Sequence, residues 1–149
     1  MQTITTTSEA ETIDAGRRFA AALAPGRIVL LFGDLGAGKT AFVRGLAEGL
    51  GANPDEVSSP TFTLIQEYAG RLTLYHADLY RVNPAEVDDL GLDQLGEGQG
   101  VVAVEWGERM PRPIDGALEV RIEDLGGDRR RITIEQNRAP GAERRAPSA

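Results

Sequence analysis

The chain has 149 residues, 41% of them hydrophobic and 26% charged, with a formal net charge of −7. That length fits one domain with an ordinary buried core, and the acidic balance argues against binding nucleic acid through a broad basic face. Cysteine is absent from the sequence, which excludes disulfides and thiolate metal sites. No apolar stretch approaches the roughly 18 residues of a membrane span. Residues 1–5 also lack the basic-then-apolar pattern of a signal peptide. The expectation is a cytoplasmic protein with no membrane attachment.

Ser8-Glu9-Ala10-Glu11 has the spacing of a capping box. The following residues, 13–23 with Phe19 and Ala20, read as an amphipathic helix closed by Pro25-Gly26. Residues 28–32, Ile-Val-Leu-Leu-Phe, form a continuous apolar run, as a strand buried on both faces of a parallel sheet requires.

Next comes Gly33-Asp34-Leu35-Gly36-Ala37-Gly38-Lys39-Thr40, which matches G-x-x-x-x-G-K-[ST]. In such a loop the backbone N–H groups cradle phosphates and the lysine reaches the β- and γ-phosphates. Lys39 is the only lysine in the chain, and the other fifteen basic residues are arginine. Arginine's planar fork does not replace a compact ammonium in that position. A helix follows over 41–50, with Phe42, Val43, Leu46 and Leu50 on one face, and Gly51 and Pro54 end it. Strand, loop and helix in this order are the context that confirms a phosphate-binding loop. The helix N-terminus adds a dipole that favours phosphate, and the Thr40 hydroxyl is then expected on Mg²⁺.

Residues 61–68 and 71–76 flank Ala69-Gly70 as a β-hairpin. Residues 84–92 read as a short helix with Pro84 in its first turn. Residues 100–104 form a second buried strand, and 118–122 with 130–134 alternate around Gly126-Gly127 as a second hairpin. From Gln136 the composition turns to Arg, Ala and Pro, so the expected domain is 1–135 with a disordered tail over 136–149.

A phosphate-binding loop needs a carboxylate for Mg²⁺ and for the attacking water. Two apolar strands run into acids: 101–104 into Glu105-Trp106, and 72–76 into Asp78. Both acids would emerge at strand ends, where open α/β sheets bind ligands. A cap or surface role is the plain alternative for either acid alone, but their placement beside the loop favours a functional one. The only histidine, His76, and the only tryptophan, Trp106, lie in the same two segments. Residue statistics favour packing for each. The polar segment Ser58-Ser59-Pro60-Thr61-Phe62-Thr63 stands where a switch loop would, or where an ordinary turn enters a strand. Residues 82–108 hold seven acids and no cation, either a solvated face or a docking surface for a basic partner. Without a second lysine the chain cannot carry the guanine-reading Asn-Lys-x-Asp segment, so adenine is the expected base.

Taken together, GDLGAGKT at 33–40, SPTFTL at 59–64, HADLYR at 76–81 and VEWGE at 104–108 resemble the TsaE (YjeE) family. The resemblance covers about residues 8–135, and Gly107 departs from it where a proline is common. It implies an α/β P-loop NTPase fold, a single domain with a mixed, largely parallel sheet flanked by helices. It implies ATP and Mg²⁺ as cofactors and a role in forming N6-threonylcarbamoyladenosine in tRNA. The implied partners are a TsaD-type threonylcarbamoyltransferase and its TsaB-type paralogue, with tRNA reached only through that complex. Carried over by motif, Gly33, Asp34, Leu35, Gly36, Ala37, Gly38, Lys39 and Thr40 hold phosphate, with Trp106 in the site wall. Thr40 and Glu105 face Mg²⁺, and Lys39, Asp78 and Glu105 serve hydrolysis. No arginine finger is identifiable, so slow hydrolysis in isolation is expected; the completing group comes from within the chain, with Arg129, Arg130 and Arg131 as candidates, or from the partner. A small kinase and a non-catalytic, nucleotide-gated binding module remain as alternatives.

Overall fold

A computed structural model describes residues 2–33, 38–57, 65–79, 82–83, 85–87, 91–95, 100–110, 114 and 116–136. The elements are β1 (Gln2–Thr6), α1 (Glu9–Ala21), β2 (Ile28–Phe32), α2 (Lys39–Gly49), β3 (Ile65–Tyr68), β4 (Leu74–Asp78), α3 (Leu92–Leu95), β5 (Val101–Glu105), β6 (Leu118–Gly126) and β7 (Arg129–Gln136). The strands form one sheet in the order β1-β7-β6-β2-β5-β4-β3. β6, β2, β5 and β4 are mutually parallel, while β7 and β3 run against their neighbours and β1 runs against β7. The sheet is therefore mixed and largely parallel, with the reversed strands toward its edges.

The apolar run of β2 has the expected cause. Val29 and Leu31 belong to one buried cluster with Ala15 and Ala20 of α1 and Phe42, Val43 and Leu46 of α2. Ile28 and Leu30 belong to a second, on the opposite face, with Val102, Val104, Leu79 and Val87. A strand covered on both sides has no polar face to show. β5 repeats the pattern until Glu105, which is 3% exposed and so places a carboxylate inside the layer.

Ser8 caps α1 by accepting from the Glu11 N–H at 3.1 Å. The reciprocal arm of the capping box differs from expectation. The Glu11 carboxylate reaches back to the N–H of Thr7 at 2.6 Å and its hydroxyl at 2.8 Å. The Thr7 N–H, with its hydroxyl second, holds the Glu11 carboxyl below its ordinary range. The Thr6 and Thr12 hydroxyls, 2.8 Å apart and buried, join β1 to the same turn.

α1 lies directly on α2. A Cβ on Gly45 would stand 1.9 Å from the Ile13 carbonyl oxygen and 2.8 Å from the Arg17 nitrogen. Only a glycine permits that backbone-to-backbone approach.

Both expected hairpins are present, as β3–β4 and β6–β7. β1 is an addition that the sequence reading did not include. The helix expected over 84–92 is corrected: residues 85–87 are helical, but Gly91 turns at φ 65° and Leu92 opens the separate α3. A left-handed residue cannot continue an α-helix. Pro84 and residues 88–90 lie outside the described residues, as do the expected tail beyond Gln136 and the 58–64 segment.

Candidate functional site

The site forms where the carboxyl ends of β2, β5 and β4 meet the N-terminus of α2. Gly38 at φ 105° and ψ 14° turns the chain into that helix, and among the described residues no side chain caps it. The first N–H groups of α2 therefore face an end to which an anion can be added. Asp34, Leu35, Gly36 and Ala37 lie outside the described residues; Gly33 and Gly38 mark where the loop leaves β2 and enters α2.

Lys39 is only 4% exposed. Its Nζ donates to the Gly33 carbonyl at 2.5 Å and sits 3.4 Å from the centroid of the Trp106 ring. A carbonyl dipole and an aromatic face both favour the charged ammonium in a desolvated place. Trp106 holds this position with a left-handed backbone, φ 63° and ψ 51°, the one non-glycine with positive φ among the described residues. Such strain costs about 1–3 kcal/mol and persists at sites where surrounding structure enforces it.

Glu105 ends β5 with its two oxygens assigned differently. Oε1 accepts from the Thr40 hydroxyl at 3.4 Å, and Oε2 accepts from His76 Nε2 at 2.5 Å. β4 and β5 are parallel with Asp78 in register opposite Glu105, and the Leu79 N–H donates to the Glu105 carbonyl at 3.1 Å. The two acids read from the sequence thus lie side by side at adjacent strand ends. Lys39, Thr40 and Trp106 gather around the same corner. Tyr80 and Arg81, the end of the HADLYR segment, lie outside the described residues.

Three further contributions come from tertiary placement. The Gly33 N–H donates to Glu108 Oε2 at 3.3 Å, tying the exit of β5 to the entry of the loop. Arg130 of β7 reaches the start of α2: a Cβ on Gly38 would meet Arg130 Nε at 3.6 Å and Thr12 Cγ2 at 3.7 Å. The Arg130 side chain is 15% exposed and pairs with Asp124 at 3.1 Å, whereas Arg129 and Arg131 are exposed. The third is a substitute for the proline expected at Gly107. A Cβ there would stand 2.9 Å from the Phe32 ring, whose face also carries the Arg121 guanidinium at 4.3 Å. The large ring of Phe32 takes the space that a side chain at 107 would need.

This geometry agrees with what the chain resembles. Residues 6–133 match the family described as threonylcarbamoyl adenosine biosynthesis protein TsaE. The chain belongs to the TsaE family. A tRNA threonylcarbamoyladenosine biosynthesis protein TsaE of Bacillus subtilis is 47% identical over 87% of this chain and 82% of its own length. A protein of the same description from Nostoc is 50% identical over 67% of this chain. The match spans 64% of the Nostoc protein's own length. The crystal structure of Bacillus subtilis YdiB superposes with a TM-score of 0.71 at 38% identity, covering 96% of this chain and 89% of that one. The fold is a single-domain α/β P-loop fold, and membership of the family implies a P-loop nucleotide-binding protein. No helix among the described residues is long and apolar enough to cross a membrane.

Proposed function

We propose that this chain is a Mg²⁺-dependent ATPase required for forming N6-threonylcarbamoyladenosine in tRNA. It acts on a complex of a TsaD-type threonylcarbamoyltransferase and a TsaB-type paralogue, and meets tRNA only through that complex. The observation that carries the catalytic part is the Thr40 hydroxyl facing the buried Glu105 carboxylate, one residue from Lys39 on the first turn of α2. Membership of the TsaE family supports the pathway.

The donor set suits Mg²⁺. A hydroxyl and a carboxylate oxygen are hard ligands, and Mg²⁺ is commonly held by one or two carboxylates together with substrate phosphates and waters. Among the described residues no cluster of three or more His, Asp or Glu offers a competing all-protein cage. Thr40 and Glu105 would hold the ion, which when bound neutralises charge on the β- and γ-phosphates. Lys39 places a positive charge on the same oxygens as they gain negative charge, an interaction worth most in a water-poor site. Its ammonium would exchange the Gly33 carbonyl and Trp106 face for phosphate. Asp78 or Glu105, side by side at adjacent strand ends, orients the attacking water. Arg130 is the cation within the chain best situated to complete the site, since its guanidinium already lies against Gly38. The ATPase domain would occupy residues 1–135.

ATP labelled in the γ-phosphate tests this reading. Incubated with the chain, Mg²⁺ and the two partner proteins, the label is expected to leave as inorganic phosphate, and modified tRNA is expected to accumulate only when both the chain and ATP are present. Label on an acceptor molecule would instead identify a kinase, and modification without phosphate release would identify a nucleotide-gated module.

A further inference from the structure

His76 lies at the centre of β4 and is fully buried. Its Nε2 is 2.5 Å from Glu105 Oε2, while its Nδ1 is buried and has no hydrogen-bond partner among the described residues. Packing alone does not account for this arrangement. Burying a polar nitrogen without a partner costs free energy, and an apolar side chain of similar volume would avoid that cost. What the imidazole supplies is its hydrogen bond to Glu105. A carboxylate only accepts, so Nε2 carries the hydrogen and donates it to Oε2.

That bond divides the carboxylate. With Oε2 held by His76, Oε1 is the oxygen turned toward the Thr40 hydroxyl at 3.4 Å. The imidazole itself is confined. It lies opposite Gln66 across the β3–β4 pair, and its ring centroid is 6.2 Å from that of Tyr68. The Tyr68 hydroxyl in turn donates to the Gln66 side-chain oxygen. Both strands thus fix the ring, and the ring fixes the acid. We propose that His76 is a positioning residue for the cation site, locking the Glu105 carboxylate so that Oε1 faces the place between it and Thr40. This rests on the reading of Glu105 as a Mg²⁺-side acid.

The test measures cation binding rather than turnover. Mn²⁺, observed by paramagnetic resonance, is titrated into the full chain saturated with a non-hydrolysable ATP analogue. His76→Leu fills the space without a donor, and His76→Gln keeps an amide N–H near the Nε2 position. Loss of such an outer partner costs about 10–100-fold in metal affinity. His76→Leu is expected to weaken Mn²⁺ binding by that factor, with analogue affinity in EDTA unchanged, and His76→Gln is expected to restore it. Mn²⁺ affinity in folded His76→Leu equal to wild type would overturn the proposal. Should His76→Leu fail to fold, His76→Asn serves instead, since its shorter amide does not reach Glu105. Binding by His76→Asn as tight as by His76→Gln would then overturn it. Wild-type chain whose analogue complex binds no Mn²⁺ would sink the underlying reading of Glu105 and this inference with it, a result distinct from wild-type binding that is indifferent to His76.

Discussion

Glu105→Gln is expected to fold normally and to lose ATP turnover by about 100-fold or more, the scale seen when one preorganised electrostatic group is removed from a site. The amide keeps the volume of the carboxylate, and its oxygen can still accept from His76 Nε2 at the end of β5. What disappears is the negative charge beside the Thr40 hydroxyl. Phosphate release at saturating ATP checks the first part, and circular dichroism with a melting curve checks the second. Retained turnover would mean that the charge is not used. Glu105→Ala would be a poorer probe, because it strands the buried imidazole as well as removing the charge, and stability and activity would fall together.

Gly45→Ala is expected to destabilise the chain by about 3 kcal/mol, the upper part of the range for overpacked interiors. Helix propensity alone predicts the opposite sign, a gain of about 1 kcal/mol from replacing glycine in a helix. The decision lies with geometry. The added methyl would stand 1.9 Å from the Ile13 carbonyl oxygen and 2.9 Å from the Gly16 Cα, and both are backbone atoms that cannot rotate away. α1 must therefore shift off α2. For a chain of this length the melting temperature should fall by about 6–12 °C. The shift would also carry Thr12 away from the start of α2, which it approaches beside Gly38. A melting temperature at or above the wild-type value would show that the helices slide at little cost.

Lys39, Thr40, Glu105 and Asp78 were legible in the sequence because each belongs to a short local pattern: a strand that is apolar throughout, then a loop or an acid. The same logic gave β2, β5 and both hairpins. β1 was not legible, since its five residues are mostly polar and exposed and its partner, β7, lies at the far end of the chain. Nor was the role of His76. Its contact with Glu105 spans 29 positions and depends on two parallel strands in a particular register, which no local periodicity encodes. Glu108 comes to the loop in the same way, through tertiary placement, and the same placement singles out Arg130 from its neighbours Arg129 and Arg131. The Trp106 backbone is a further case: a bulky residue at φ 63° runs against propensity, and such violations gather at functional sites. Gly107 could have prompted the question of what fills the space of the expected proline, and the answer is the Phe32 ring.

The claim that these residues form a working ATPase site is tested most directly by phosphate release from wild type and Lys39→Ala at saturating ATP and Mg²⁺, each with the partner complex present. Wild type is expected to release phosphate and Lys39→Ala only background, because the single lysine of the chain supplies the charge on the transferred phosphate. Equal release by the two proteins would contradict it.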